Sequence, residues 1–316
     1  MKKEFLLLIK AAVSGSLLYL VFRRTDLMSI LDGVVQLPLW SFLAALILSL
    51  TAVMFASFRW GLFIKSHLGR GRVFSFYLAG MFFNTVLPGL VGGDAVKGYY
   101  LYKEGSTIPN TVSSLFMDRF LGYVVLLGMG TAAYPFALPV LKGTELVWAF
   151  PVILATFITI SYLILYRRAG SRFGFIASFL ESLDACFVDT GAIGRGLLFS
   201  LIVQALNVLT VYILAVGFGL DITILVLMAF LPIIVTLASV PITVSGLGVR
   251  EASFVVFFGA YGLNGESALA LSLAWFGILI ATGLVGLIEY LRSGRGVPPT
   301  PKEPRINPDL LPSSSP

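Results

Sequence analysis

A chain of 316 residues that is 58% hydrophobic and only 12% charged is not an ordinary soluble domain, in which about a quarter of residues carry charge. Its formal net charge of +6 lies mostly in short connections and tails, which favours contact with anionic lipids over nucleic-acid binding. One cysteine, Cys186, excludes an intramolecular disulfide, and with the single histidine, His67, it excludes the usual zinc sites. The composition predicts a polytopic membrane protein, and we expect no metal or other cofactor.

Six apolar runs are long enough to cross a bilayer as single helices, since a span needs roughly 20 apolar residues. They lie near residues 5–22, 39–58, 115–138, 147–166, 195–217 and 267–291. The first run follows Met-Lys-Lys-Glu and is similar to the start of a signal peptide. Lys10 interrupts it and no convincing cleavage site follows, so we expect a retained helix.

Two further apolar stretches, at 73–105 and 225–263, are each broken by Pro and Gly near the middle and then resume. The breaks share the pattern Pro-x3-small-Gly-x3-basic at a constant offset of 153 residues. The matching positions are Pro88, Gly92, Gly93 and Lys97 in the first stretch, and Pro241, Ser245, Gly246 and Arg250 in the second. Apolar segments interrupted at corresponding places in two halves of a chain are typical of transporters built on an inverted repeat.

Basic residues predict which connections face the cytoplasm, since Lys and Arg concentrate on that side of the membrane. The richest segments are the N-terminus, the connections 59–72 and 167–195, and the tail. If all four are cytoplasmic, the first broken stretch enters and leaves on the cytoplasmic side and the second on the outer side. The sequence then predicts a 3+3 inverted repeat with two oppositely oriented re-entrant hairpins, repeat one at about 5–138 and repeat two at about 147–291.

An ordinary bundle of eight full spans is the alternative to re-entrant hairpins. It requires Lys97 and Lys103, or the region of Arg250, to change sides of the membrane.

The longest connection and the C-terminal tail have their own patterns. Residues 167–194 alternate aromatic and charged residues and predict an amphipathic helix at the inner interface. Residues 1–291 form the predicted membrane domain, with both termini in the cytoplasm of a cell membrane. Residues 292–316 are rich in Pro and Ser, so we expect a disordered cytoplasmic tail.

The two breaks predict a polar cavity. Backbone groups freed at 89–93 and 245–248 cannot face hydrocarbon unsatisfied, so they must be buried in protein or line a water-filled space. The half-helix that restarts after each break offers N–H groups and the positive end of its dipole, and Lys97 or Arg250 lies within about one turn of that start. Together these features suit a phosphate or a carboxylate. In the competing interpretation, the glycines allow close helix packing and the basic side chains reach toward lipid phosphates.

An acidic residue accompanies each of these basic residues. Asp94 lies three residues before Lys97 on the same helix face, where it either serves the cavity or caps a helix at the interface. Glu251 is adjacent to Arg250 and on a helix should face elsewhere, yet it could neutralise Arg250, orient it or bind a coupling proton.

Other polar residues lie inside apolar spans. Asp118 and Arg119 open the third span, where an unpartnered charge pair costs several kcal/mol, so we expect them to face the cavity rather than the cytoplasmic interface. Three amide side chains are more typical of interhelical hydrogen bonds than of substrate ligands. They are Asn84, Gln204 and Asn207.

Three blocks of this sequence resemble the signature motifs of the lysylphosphatidylglycerol synthase transmembrane-region family, also described as flippase-like. They are Asn84 to Lys97 (Asn-x3-Pro-x3-Gly-Gly-Asp-x2-Lys), Asp118-Arg119, and Ser245 to Glu251 (Ser-Gly-Leu-Gly-Val-Arg-Glu). The resemblance covers about residues 5–291. It implies a substrate site at Asn84, Pro88, Gly92, Gly93, Asp94, Lys97, Asp118, Arg119, Gly246, Gly248, Arg250 and Glu251. To these the repeated break adds Ser245.

The resemblance implies a function in lipid translocation. In aminoacyl-phosphatidylglycerol synthases this membrane domain moves the modified lipid between leaflets, and some relatives are linked to polyprenyl- or dolichyl-phosphate sugar pathways. We therefore expect a transporter rather than an enzyme, with a phospholipid or polyprenyl-phosphate lipid as its substrate. No soluble aminoacyl-transferase domain follows residue 291, so we do not expect lysyl-lipid synthesis by this chain alone, and a separate lipid-modifying enzyme is an expected partner.

This chain departs from the family pattern in two places. Lys97 stands where the family often has arginine. A lysine ammonium cannot bind phosphate in the bidentate manner of an arginine guanidinium. The run Ile242 to Ser245 replaces a segment richer in Pro and Gly.

Two other functions stay open on the sequence alone. One is a membrane-embedded transferase acting on polyprenyl-phosphate-linked sugars, with Asp94 or Asp118 as base or metal ligand. Such enzymes generally need clustered carboxylates near a membrane surface, and Asp26 and Asp32 are the only nearby pair there. The other is a non-catalytic scaffold or partner subunit of a lipid synthase, which the Pro-rich tail favours.

Overall fold

The computed structural model describes residues 14–16, 19, 23, 35–65, 68–86, 91–166, 174–240, 243 and 246–292, and this part of the chain is all helical. In chain order the main helices are α1 (Leu39–Gly61), α2 (Arg70–Val86), α3 (Val91–Lys103), α4 (Ile108–Leu141), α5 (Ala149–Tyr166), α6 (Gly174–Val188), α7 (Thr190–Gly217), α8 (Ile224–Ser239), α9 (Val249–Ala260) and α10 (Gly265–Arg292). A 3₁₀ turn at Glu145–Trp148 leads into α5.

Within these ranges, five segments are long and apolar enough to cross a membrane. They are Leu39–Gly61, Ile108–Leu141, Glu145–Ile164, Thr190–Gly217 and Gly265–Arg292. Each overlaps one of the predicted runs, from the second to the sixth, so these five predictions are confirmed. The first predicted run, 5–22, and the predicted tail, 292–316, lie almost entirely outside the described residues. The protein is an all-α polytopic membrane protein, as its composition predicts.

Helix α4 begins seven residues before the apolar run that predicts it. The Thr107 hydroxyl accepts a hydrogen bond from the Asn110 N–H at 3.4 Å, and Pro109 occupies the first turn, where no N–H is needed. Hydropathy does not detect this start because the first two turns are partly polar.

The predicted amphipathic helix within 167–194 is found at α6. It ends at Val188, and the carboxylate of the next residue, Asp189, caps α7 by accepting a hydrogen bond from the Ala192 N–H at 2.8 Å. One face of α6 buries Leu183 and Cys186 against Met117 and other apolar residues of α4. The helix therefore covers one end of α4 and leaves its other face exposed.

Helices α2 and α3 form an antiparallel hairpin. Asn84 accepts a hydrogen bond from the Gly93 N–H, Gly80 touches Lys97, Phe76 stacks on Tyr100, and Arg72 pairs with Glu104. In these four contacts the residue number falls by four at each step along α2 and rises by three or four along α3. This is the pattern expected of two antiparallel helices. The break predicted between the two arms falls on residues 87–90, which lie outside the described ranges.

Helices α8 and α9 form the second hairpin. The Phe230 ring of α8 lies 5.5 Å from that of Phe257 and 5.4 Å from that of Phe258 on α9. Nearer the break, Gly246 has φ 75°, and a Cβ there would lie 2.8 Å from the Ala238 carbonyl oxygen. Only glycine fits this position, because both the backbone conformation and the space exclude a side chain.

The arms of both hairpins are short. With a rise of about 1.5 Å per residue, α2, α3, α8 and α9 measure about 26, 20, 24 and 18 Å. A hydrocarbon core is about 30 Å thick, so no single arm reaches across it. Because the two arms of each hairpin are also antiparallel, the structure favours re-entrant hairpins over the alternative of eight full spans, in which each broken stretch crosses once.

The two halves of the chain make equivalent contacts. Helix α10 packs along α2 of the first hairpin, and α4 packs along α8 of the second. Gly283 of α10 lies against Thr85 of α2, and Gly130 of α4 lies against Pro232 of α8. Gly130 and Gly283 stand 153 residues apart, which is the offset of the repeated Pro/Gly pattern. These paired contacts agree with the predicted inverted repeat, which stays a prediction in its details.

Helices α1 and α7 hold the halves together. They run antiparallel, with Ser41 beside Gly217 at one end and Arg59 bonded to Ser200 at the other. The largest apolar core surrounds α8 and contains Phe230, Ile233, Phe254 and Ile278. The second hairpin is thus embedded in apolar side chains, whereas the first hairpin is packed around buried charges.

Candidate functional site

A buried ion pair joins α1 to α4. The Arg59 Nε donates to Asp118 Oδ1 at 2.8 Å, and Arg59 Nη1 donates to the Ser200 hydroxyl at 3.0 Å. The Asp118 side chain is 1% exposed and also lies 3.5 Å from the Lys97 ammonium. The Tyr77 hydroxyl donates to its second oxygen at 3.3 Å. Asp118 is thus neutralised from two helices and fixed by a hydrogen bond from a third.

Asp94 continues this ionic arrangement toward a more exposed part of the protein. Its carboxylate lies 2.7 Å from the Lys97 ammonium and accepts a hydrogen bond from Arg119 Nε at 2.8 Å. Arg59, Asp118, Lys97, Asp94 and Arg119 therefore form a chain of alternating charge, which we call the ionic chain. Its exposed end is Arg119, whose side chain is 39% accessible.

Lys97 lies at the centre of the ionic chain inside an aromatic enclosure. Its ammonium lies 4.2 Å from the centre of the Tyr77 ring and 5.3 Å from that of Trp60, which is cation–π geometry. The Lys97 stem passes directly over Gly80, where a Cβ would lie 2.8 Å from Lys97 Cγ. A side chain at position 80 would therefore collide with Lys97, and glycine there lets the lysine reach Asp118.

Gly93 and Asn84 close the tip of the first hairpin. A Cβ at Gly93 would lie 2.1 Å from the Gly80 carbonyl oxygen, so the two arms touch backbone to backbone. The Asn84 side-chain oxygen accepts the Gly93 N–H at 2.8 Å. These contacts agree with the packing interpretation of Gly93, and they place the amide of Asn84 at the hairpin interface.

The second hairpin carries its own buried ion pair. Arg250 Nε donates to Glu251 Oε1 at 3.1 Å, and the other Glu251 oxygen accepts the Gly248 N–H at 2.7 Å. The Arg250 guanidinium lies over the Phe276 ring at 4.4 Å. The expectation that Glu251 faces away from Arg250 is wrong. Gly248 has φ 87° and directly precedes α9. The Glu251 side chain folds back to the Gly248 N–H, which brings its carboxylate to the side where Arg250 lies.

Three of these cations meet in one cavity of about 200 Å³, which we call the inner cavity. Lys97, Arg119 and Arg250 line it together with residues of α2 and α10, among them Tyr77 and Phe276. The cavity therefore draws its basic residues from both halves of the chain. Asn84 also lines it, while Asp94, Asp118 and Glu251 hold the cations in place.

An open apolar groove of about 560 Å³ runs between α3 and α4. Its walls include Tyr99, Val112 and Phe116, and Asp94 and Arg119 also line it. Arg119 lines both this groove and the inner cavity, so the Asp94–Arg119 pair marks the boundary between them.

The remaining predicted positions are placed as follows. Gly92 lies in the first turn of α3, Gly246 and Gly248 shape the turn before α9, and Ser245 and Pro88 lie outside the described ranges. Gln204 donates to the Gly122 carbonyl at 3.2 Å across α7 and α4, which confirms the interhelical interpretation for this residue.

Sequence reasoning missed Arg59 as a site residue, because it ends an apolar run and begins a basic connection. The structure places it in the last turn of α1, 5% exposed, rather than in the connection. One sequence feature indicates burial: Arg59 is a single charge at the end of an apolar run and is followed by Trp60 rather than by further charged residues. Tyr77 was missed because a tyrosine in an apolar stretch carries no distinguishing pattern.

Comparison with known proteins identifies the family of this chain. A family model described as "Lysylphosphatidylglycerol synthase TM region" matches residues 7–286, which include both hairpins and the ionic chain. A protein of Methanothermobacter thermautotrophicus, described as a UPF0104 membrane protein, is 22% identical over 290 residues, covering 79% of this chain and 85% of the relative. Since the family match extends over most of its length, the chain belongs to the lysylphosphatidylglycerol synthase TM region family.

Proposed function

We propose that this protein translocates a phosphate-headed anionic lipid between the leaflets of the cell membrane. The observation that carries the proposal is the inner cavity, where Lys97 and Arg119 of one half and Arg250 of the other line the same space. Phosphate is the lipid head group that clustered cations of this kind bind best. The family to which the chain belongs also takes its description from a lipid-modifying synthase.

The charge balance of the site supports an anionic ligand. Four buried or partly buried cations, at Arg59, Lys97, Arg119 and Arg250, face three carboxylates, at Asp94, Asp118 and Glu251, which leaves one positive charge over. The N-termini of α3 and α9 add positive dipole ends near Lys97 and Arg250. An entering phosphate would compete with Asp94 for Arg119, which is the most exposed of the cations that line the cavity.

The groove between α3 and α4 supports a lipid rather than a water-soluble anion. Because Arg119 lines both spaces, a phosphate bound to it would leave its attached hydrocarbon chain in the apolar groove. A free phosphate has no hydrocarbon chain and would make no contact with this apolar groove. Both phospholipids and polyprenyl phosphates combine a phosphate with a long chain, and either class suits the site.

Alternating exposure would come from movement of the two halves around the inner cavity. Gly283 lets α10 approach α2 closely and Gly130 lets α4 approach α8 closely, and in this proposal these helix pairs shift against each other. In this proposal both termini lie in the cytoplasm, and a separate enzyme supplies the lipid that is moved.

Exchange of fluorescent lipids in proteoliposomes tests the proposal. Wild type should make head groups of labelled phosphatidylglycerol or polyprenyl phosphate accessible to an external quencher, and Lys97→Ala/Arg250→Ala should abolish this. Lys142→Ala/Arg292→Ala removes the same two charges at exposed positions and is the matched control. Arg119→Gln is a milder variant should the buried double variant fold poorly. Normal exchange in both site variants would refute the proposal.

A further inference from the structure

A second basic cavity, of about 380 Å³, lies between the start of α2 and the packed pair α1 and α7. Arg70 and Arg195 line it, together with Phe58, Phe199 and other apolar residues. Among the residues that the structure describes, it shares no lining residue with the inner cavity or with the groove between α3 and α4. Its residues belong to none of the motifs from which the translocation site was predicted.

The two arginines of this cavity differ from those of the ionic chain. Arg59, Arg119 and Arg250 each have a carboxylate partner, whereas in the described part of the chain neither Arg70 nor Arg195 forms an ion pair. The connections 62–69 and 167–173 contain no Asp or Glu. Arg195 Nε donates to the Gly191 carbonyl at 3.2 Å, which leaves its terminal nitrogens for another acceptor. The cavity therefore combines two exposed guanidinium groups with no acidic residue among the described residues that line it.

The remainder of the cavity is apolar. The rings of Phe58 and Phe199 lie 6.3 Å apart, and Leu62 and Val73 extend the same surface. Helix α2 starts at Arg70, so its first N–H groups and positive dipole end lie at the same side as the two guanidinium groups. The cavity thus has positive charge at one end and apolar side chains along the rest of its lining. A molecule with a phosphate group attached to a hydrocarbon chain would match both parts.

We propose that this cavity is a binding site for an anionic phospholipid, with the phosphate between Arg70 and Arg195 and one acyl chain along Phe58 and Phe199. The bound lipid joins α2, an arm of the first hairpin, to α7, a helix of the other half. It thereby stabilises the arrangement in which the two halves are held together, and it is not itself transported. The proposal is independent of translocation, because Lys97, Arg119 and Arg250 take no part in it.

Lipid-dependent thermal stability of the purified protein tests this site. Phosphatidylglycerol, phosphatidylcholine and glycerol 3-phosphate are added separately to the detergent-solubilised wild type, the Arg70→Gln/Arg195→Gln variant and the control Lys142→Gln/Arg292→Gln. Only phosphatidylglycerol should raise Tm, and the Arg70/Arg195 variant should need about a hundredfold more of it than wild type or the control, since two charge-assisted contacts are lost at about tenfold each. All four substituted residues are exposed, so folding is expected to be retained.

A second readout locates the chain. Phosphatidylglycerol with a diazirine in its acyl chain should label peptides containing Phe58 or Phe199 in wild type and much less in the Arg70/Arg195 variant. Equal stabilisation of wild type and the Arg70/Arg195 variant would overturn the proposal, as would equal stabilisation by phosphatidylcholine. Equal stabilisation by glycerol 3-phosphate would show a phosphate site that does not recognise a lipid chain, which also overturns it.

Discussion

Lys97 and Arg250 stand 153 residues apart in the chain and line the same cavity. Each is buried, each follows a helix break, and each has an acidic partner, Asp94 in one case and Glu251 in the other. The partners are placed differently, since Asp94 precedes its lysine by one helical turn and Glu251 directly follows its arginine. Each half therefore contributes one cation to the same cavity, but the carboxylate that pairs with this cation occupies a different sequence position in each half.

Asp118→Asn should destabilise the protein strongly. The substitution leaves Arg59 and Lys97 without the carboxylate that neutralises both, and breaking a buried pair typically costs about 3–5 kcal/mol. Thermal unfolding in detergent measures the loss. Asp221→Asn, at an exposed position, is the control and should change Tm little. Equal Tm values for the two variants would show that the ion pair contributes nothing to folding.

Gly93→Ala should separate the arms of the first hairpin. Its Cβ would lie 2.1 Å from the Gly80 carbonyl oxygen, and a backbone contact of this kind has no flexible side chain that can move away. We expect a loss of roughly 1–3 kcal/mol and of lipid exchange together. Gly128→Ala, on α4 with open space around it, should be neutral or slightly stabilising in the same unfolding and exchange assays. A Gly93→Ala protein as stable as Gly128→Ala would contradict the close contact.

Arg119→Gln should reduce lipid exchange while changing stability little. Its side chain is 39% exposed, and Asp94 keeps Lys97 as a partner at 2.7 Å, so we expect less than about 1 kcal/mol of destabilisation. Loss of one charge-assisted contact to phosphate should slow exchange by about tenfold. Arg72→Gln is the matched control, because Arg72 is also exposed and paired within the first hairpin. Exchange rates equal to that control would exclude Arg119 from the path of the head group.

Cys186 should react slowly with maleimides in the folded protein. The thiol is buried between α6 and α4, and this burial raises the pKa of Cys186, so less of the reactive thiolate is present near neutral pH. Reaction should accelerate on unfolding and at higher pH. Cys186→Ser/Ala177→Cys, with the thiol at an exposed position of the same helix, should react rapidly. Equally rapid labelling of both proteins would show that α6 does not stay packed on α4.

Much of this arrangement could be predicted from the sequence, and the reasons for the failures are physical. Hydropathy predicts the five spans in the described ranges, and the repeated break predicts that Lys97 and Arg250 mark equivalent places. The pairing of Glu251 with Arg250 depends on the backbone at Gly248, whose positive φ no residue pattern specifies. The sequence predicts that Arg59 lies in a connection, because hydropathy cannot tell a buried charge at a span end from an exposed one.

The ionic chain also constrains how the protein is made. Arg59 is synthesised 59 residues before Asp118, its partner, and a lone arginine in the bilayer interior is costly. During biogenesis the Arg59 end of α1 must therefore remain near the lipid head groups, or in contact with the insertion machinery, until α4 has been synthesised. Lys97 differs from Arg59 in this respect, because its partner Asp94 is synthesised three residues before it. Stable integration of the first half should accordingly be a concerted event of α1 to α4, rather than one helix after another.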